Sequence, residues 1–269
     1  MANLLFYQKP VPLNKNDHKD KKISSSGRNF EFAGNTNSVI LAGVEFSEAG
    51  KEYPIVFAQA GENIIPVALL GLRNEENLYV SEDDGSWDAR YIPAFVRRYP
   101  FVLAETGEAG QRVVCIDEAF DGFNDDEGEP LFDGEETTPI LQQAMEFLEE
   151  YQKQYIRTEA FVQRLRENDL LMALNARVDM VDGQQFGLTG LLAVDERKLL
   201  QMPDDRALAL FRSGELSWIY CHLMSLGCMG RLIDRIASRG GEVEPADAAE
   251  AEAEETKPKA KAKPRAKKA

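Results

Sequence analysis

Short apolar runs alternate with polar breaks along much of this chain. After a polar opening of 38 residues come VILAGVEF from Val39, YPIVFA from Tyr53, NIIPVALLGL from Asn63 and NLYV from Asn77, separated by Gly, Pro and Asn. Runs of this length, punctuated in this way, predict short strands joined by tight turns. YIPAFVRRY, from Tyr91, has another period. Ile92, Phe95, Val96 and Tyr99 recur at i, i+3, i+4 and i+7, which predicts a helix with one apolar face. FVLAE from Phe101 and RVVCI from Arg112 return to strand, and the short gap between them predicts a hairpin.

Beyond Asp117 the pattern turns helical. Residues 117–136 hold ten acids and no base among Gly and Pro, which predicts a solvated loop. Thr138-Pro139 predicts a helix start, with Thr as cap and Pro at the first helical position. Leu141, Ala144, Met145, Leu148 and Tyr155 mark that helix's apolar face, and Thr158 is placed to cap a second helix carrying Phe161 and Leu165. Arg177–Gly190 reads as a hairpin turned at Asp182-Gly183. Pro203-Asp-Asp opens another helix, with acids where the helix dipole favours them, and Gly214 ends it. Leu216, Ile219, Tyr220 and Leu223 form the stripe of the next helix, and Met229, Leu232, Ile233 and Ile236 that of the last. After Ser238, Ala, Glu, Pro and Lys cannot bury enough apolar surface to order the chain. The fold class is α+β: a β-rich N-terminal part with short antiparallel strands, a mainly helical C-terminal part and a disordered tail. The expected organisation is one domain over 1–238, comprising an irregular arm (1–38), a β-rich part (39–116), an acidic loop (117–137) and a helical part (138–238). A tail, acidic then basic, fills 239–269.

Charge narrows the partners. The 269 residues carry a net −15. Seven acids from Glu242 to Glu255 cancel seven bases from Lys257 to Lys268, so the body holds the whole excess. Such a body repels nucleic acid and anionic membranes, leaving only the basic tail for polyanions. Nucleic acid is therefore not an expected partner. No apolar run approaches the roughly 18–20 residues of a membrane span, and the N-terminus lacks a basic signal-peptide region. Together with three cysteines, an odd number, this predicts a cytoplasmic location and free thiols.

Several chemistries drop out. With only His18 and His222, an HExxH zinc site is impossible. Cys221 and Cys228 are seven apart, about 10 Å along a helix, too far for shared zinc ligation. They are expected to be packed thiols, with His222 at a polar edge. The acidic stretch fits no EF-hand register. GxSxG, GxxxxGK[ST] and GxGxxG are missing. No metal, cofactor or catalytic residue is expected.

The segment SWDARYIPAFVRRY retains one puzzle. Arg90 and Arg97 fall opposite the apolar stripe and Arg98 at its edge beside Tyr91. Packing does not explain them. At least one should pair with Asp117, Glu118 or the acidic loop, as a structural latch or as the wall of an anion pocket, since a guanidinium fork serves both uses. Trp87, Arg90, Arg97, Arg98, Asp117 and Glu118 are therefore the candidate binding residues.

These motifs carry a resemblance. YPIVF, ALLGLRNEENLYV, GSWDARYIPAFVRRYPF, CIDE, GEPLFDGEETTP and GLLAVDERKLLQMPDDRALALFRSGELSWIYCHLMSLG, in this order, resemble the bacterial SapC family over roughly Leu4 to Ile236. That family takes its name from a gene linked to surface layers. Its members are often described as peptide-transport proteins and are met near genes for TonB-dependent outer-membrane receptors and flavin-dependent tryptophan halogenases. The resemblance implies a soluble accessory protein of a bacterial surface or nutrient-uptake system, with a protein partner and no agreed catalytic residues. A permease is excluded by the lack of a span. Two alternatives stand: an enzyme with an anion-binding site around Trp87–Arg98, and a structural protein of a surface layer.

Overall fold

The computed structural model describes residues 5–24, 29–105, 112–179 and 185–239. The N-terminal arm, expected to be irregular, forms β1 (Pro10–Pro12), α1 (Lys15–His18) and β2 (Lys22–Ile23). Asn14 caps α1, its Oδ1 accepting from the Asn16 and Asp17 amides. Then come β3 (Ser38–Ile40), the one-turn α2 (Phe46–Ala49), β4 (Ile55–Ala60) and β5 (Asn63–Leu69). A turn closed by the Val80–Trp87 bridge leads to α3 (Ala94–Arg97), β6 (Phe101–Glu105) and β7 (Arg112–Asp117). The expected helix over YIPAFVRRY is only this one turn, because Pro93 stands in extended conformation at its N-cap.

The acidic segment is built into sheet as β8 (Phe123–Asn124), β9 (Glu129–Pro130), β10 (Phe132–Asp133) and β11 (Glu136–Thr137). The C-terminal part holds α4 (Pro139–Glu167), β12 (Leu171–Asp179), β13 (Gln185–Val194), α5 (Glu196–Leu200), α6 (Asp204–Ser213), α7 (Glu215–Ser225) and α8 (Met229–Ser238). The predicted Asp182-Gly183 turn and the tail beyond Arg239 lie outside the described residues. Among the described residues, no helix is long and apolar enough to cross a membrane.

The class is α+β. Among the described residues every pairing is antiparallel, and the largest sheet runs β12-β13-β4-β5-β3. Gly61 makes its tightest turn possible: its φ of 62° suits the two-residue link between Ala60 and Asn63. A second sheet, β1-β7-β6, contains the predicted FVLAE–RVVCI hairpin. In a third, β2 lies between β8 and β9.

Two apolar clusters result. The larger packs the five-stranded sheet against α4 and α7 through Phe57, Phe161, Phe46 and Trp218. The smaller joins Phe101 and Ile116 of the second sheet to Leu131, Leu141 and Leu148. Burying one such side chain contributes about 1.5–3 kcal/mol.

α4 corrects the expected break at Thr158. Its 29 residues run through it. The Thr158 hydroxyl donates to Gln154 O (2.6 Å) and accepts from the Gly43 amide (2.8 Å), so it fastens the helix to the chain before α2 rather than capping a new helix. Thr138 does not cap by side chain either: its hydroxyl donates to Pro130 O at 2.7 Å.

Candidate functional site

The turn before Trp87 depends on one glycine. Gly85 has φ 65°, and a Cβ there would stand 2.3 Å from Asn29 Oδ1. The Phe30 amide donates to Gly85 O, which ties the turn to the arm. Trp87 is buried against Phe30 and Tyr79, and its Nε1 donates to the Tyr53 hydroxyl at 2.8 Å. That hydroxyl in turn donates to Tyr91 O. Trp87 is thus fixed by ring packing and a hydrogen bond within its own fold.

Glu45, which sequence reasoning passed over, organises the entry to α3. It is buried, and Oε1 accepts from the Ala94 amide (2.7 Å) and the Tyr91 hydroxyl (2.8 Å), while Oε2 accepts from the Ala42 amide (2.8 Å). Burial pushes its carboxyl up, and these donors and the nearby Arg97 charge pull against that. Its signal in the sequence was a lone acid between Val44 and Phe46.

The three arginines part company. Arg90 is exposed. Arg97 donates from Nε to Ile92 O at 2.9 Å, with its guanidinium 5.1 Å from the Phe147 ring and 5.9 Å from Tyr91. Arg98 lies 4.0 Å over the Phe95 ring and 5.4 Å from Tyr151. Burial pushes the Tyr7 phenol up, and the adjoining Arg98 guanidinium draws it back. Arg98 Nε is buried without a hydrogen-bond partner among the described residues.

The expected pairing with acids is not formed. Among the described residues, no ion pair joins Arg90, Arg97 or Arg98 to Asp117, Glu118 or the acidic segment. The reason is topological: β7 lies between β6 and β1, so the N-terminal arm reaches these acids first. Asp117, fully buried, accepts from the amides of Gln8 (2.9 Å), Lys9 (2.8 Å) and Ala119 (3.2 Å) and from the Tyr99 hydroxyl (3.2 Å). Glu118 meets Lys9 at 2.6 Å and His18 at 3.5 Å, and Lys9 holds its carboxyl below the usual range. Lys21 reaches Asp125, Lys15 reaches Glu135, and Lys22 donates to Asp126 O. Lysines of the arm, and none of the three arginines, engage the acidic segment.

A cavity of about 480 Å³ opens on the other side of Trp87, lined also by Ser81, Glu82, Asp83 and Asp88. Arg235 and Arg239, one turn apart on and just after α8, close it. Arg235 donates to Asp88 Oδ2 (2.7 Å), Asp88 O (2.8 Å) and Leu78 O (3.2 Å), over the Tyr79 ring at 4.2 Å. Arg239 donates to Val80 O (2.7 Å), Asn77 O (3.3 Å) and Glu82 (3.3 Å). Both forks are occupied by the turn they clasp.

The cysteines are free; Cys115 and Cys228 are buried, and burial raises all three thiols. Among the described residues, no group of three or more His, Cys, Asp or Glu side chains is placed to hold a metal. His222 is not at a polar edge. It is fully buried, with Nδ1 donating to Ile55 O (2.8 Å) and Nε2 accepting from the Val194 amide (3.0 Å).

Fold and site together define an α+β protein in which Glu45, Asp117 and His222, all buried, hydrogen-bond to the backbone around them. It belongs to the SapC family, whose model matches residues 13–232. No curated protein and no solved structure matches it.

Proposed function

We propose that the chain is a protein-binding accessory component of a bacterial surface or nutrient-uptake system, working by association. One observation carries this reading. α6 buries a single residue of its ten, Leu210, and leaves Leu208 and Phe211 45 % and 67 % exposed. Leu200 before it, and Tyr220 and Met224 after it, are exposed as well. Large apolar side chains concentrated on one stretch are the mark of an interaction surface. The accessory role itself follows the family resemblance. A photo-crosslinking residue at Phe211, in cells, is expected to give a discrete protein adduct, with none from Glu149 on α4. Equal labelling from both positions, or none from Phe211, overturns the reading.

A second reading rests on Arg98. Its charge lies on two aromatic rings with no acid beside it, the arrangement a bound carboxylate or phosphate would complete. Titration with inorganic phosphate, followed by Tyr fluorescence, should show saturation that Arg98→Met removes; a linear, variant-independent response rejects it.

A further inference from the structure

α6 has a face that no other described residue covers, and the pattern on that face is self-complementary. Viewed down the helix, Leu210 points into the body and Arg206 turns the same way, its Nη1 donating to Asn168 Oδ1 at 3.0 Å. The opposite side carries Asp205, Leu208 and Arg212, at i, i+3 and i+7, with Asp204 and Phe211 flanking them. All five are exposed, and Asp204, Asp205 and Arg212 form no ion pair among the described residues. The helix dipole accounts for acids at the start of α6 and a base at its end. It does not account for Leu208 and Phe211.

We infer that α6 pairs antiparallel with α6 of a second copy of this chain, about a twofold axis passing beside Leu208. Asp205 lies about 4.5 Å along the axis on one side of Leu208 and Arg212 about 6 Å on the other. Turning a second helix end for end therefore sets its Asp205 beside the first Arg212, and its Arg212 beside the first Asp205. The two Leu208 side chains meet between these pairs. A twofold interface requires such self-complementarity. The tail does not compete for this face, since Val243 is its one large aliphatic residue beyond Arg239 and it has no aromatic. A helix about 15 Å long covers less than the ~800 Å² per partner of a standard interface, so the dimer is reversible, with Tyr220 and Met224 on the adjoining helix as its margin.

This inference rests on the association reading above and names the occupant of that surface. The test is sedimentation equilibrium of the full chain over a dilution series, with circular dichroism to confirm folding. The wild type is expected to shift between dimer and monomer. Leu208→Asp should be monomeric with an unchanged spectrum. Arg212→Asp alone and Asp205→Arg alone should each weaken the dimer about tenfold, the two symmetric pairs acting together, and the double exchange should restore it. A wild type that stays monomeric, or a double exchange no tighter than the single variants, overturns the inference. A monomeric wild type that still gives a Phe211 adduct with another protein overturns the self-pairing while leaving the association reading intact. Loss of both defeats both.

Discussion

α6 and α7 are neighbours, joined at Gly214 with its φ of 79°, and they meet the molecule in opposite ways. Half of α6 is apolar, Ala207 to Phe211, yet one residue of it is buried. α7 buries Glu215, Trp218, Ile219, His222 and Ser225, three of them polar. Each polar group has a designated partner. Glu215 takes a two-pronged contact from Arg164. Ser225 accepts from the Ile55 amide at 2.9 Å and donates to His222 O at 2.6 Å. His222 does more. The register Leu192↔Phe57, carried two residues on, sets Val194 opposite Ile55, just past the last paired residues of the two strands, where strand would ordinarily bond to strand. There the imidazole stands between the Val194 amide and the Ile55 carbonyl and completes the ladder as an inserted rung. Polarity alone therefore does not separate the inside of this protein from its surface; satisfied hydrogen bonds do.

The contrast can be broken most severely at that rung. His222→Ala should strand one buried donor and one buried acceptor, each costing about 1–3 kcal/mol, and urea unfolding should show a loss of about 4 kcal/mol. His222→Gln, which can accept from one group and donate to the other, should recover most of it. A loss below that of an ordinary surface change would show that the strands close up without the ring.

Acid tests the same rung more gently. Burial pushes the His222 imidazole down to about 4 from an ordinary 6.5. The unfolded chain then binds a proton that the folded chain refuses. This stabilisation is complete above pH 6.5, declines as pH falls, and is gone below about 4, a swing on the order of 3 kcal/mol. Glu45 acts in the opposite sense, since its raised carboxyl gains from protonation. The difference between wild type and His222→Gln isolates the histidine, and parallel stability-against-pH curves would remove it from the account. On the α6 side the expectation is almost nothing: Phe211→Asp should change monomer stability by no more than about 0.5 kcal/mol. A larger loss in urea unfolding would mean that Phe211 itself helps to hold α6 to the body.

The same contrast shows what could be read in advance. The FVLAE–RVVCI hairpin, the start of α4 at Pro139 and the end of α6 at Gly214 were legible, because local periodicity and turn chemistry decide them. The stripe Leu216, Ile219, Tyr220 and Leu223 was misplaced around α7: Trp218 and Ser225 face inward, and Tyr220 outward. Hydrophobicity ranks Tyr220 above His222, and only the approach of β4 and β13, from far along the chain, reverses that order. The candidate site divides similarly. The segment around Trp87 was found from composition, whereas the partners of Glu45 and Asp117 are backbone amides and hydroxyls brought in by tertiary contact, and backbone amides have no letter in a sequence.

The placement of β2 between β8 and β9 also bears on how the protein is made. Lys22 pairs with Asn124 on one side and Pro130 on the other. A ribosome adding about 5–20 residues per second has therefore exposed the arm for roughly 5–20 seconds before either neighbour exists. Throughout that interval β2 has no strand beside it. The arm is thus left open until about half of the chain has been made, and the acidic segment that receives its lysines serves as the clasp that closes on it.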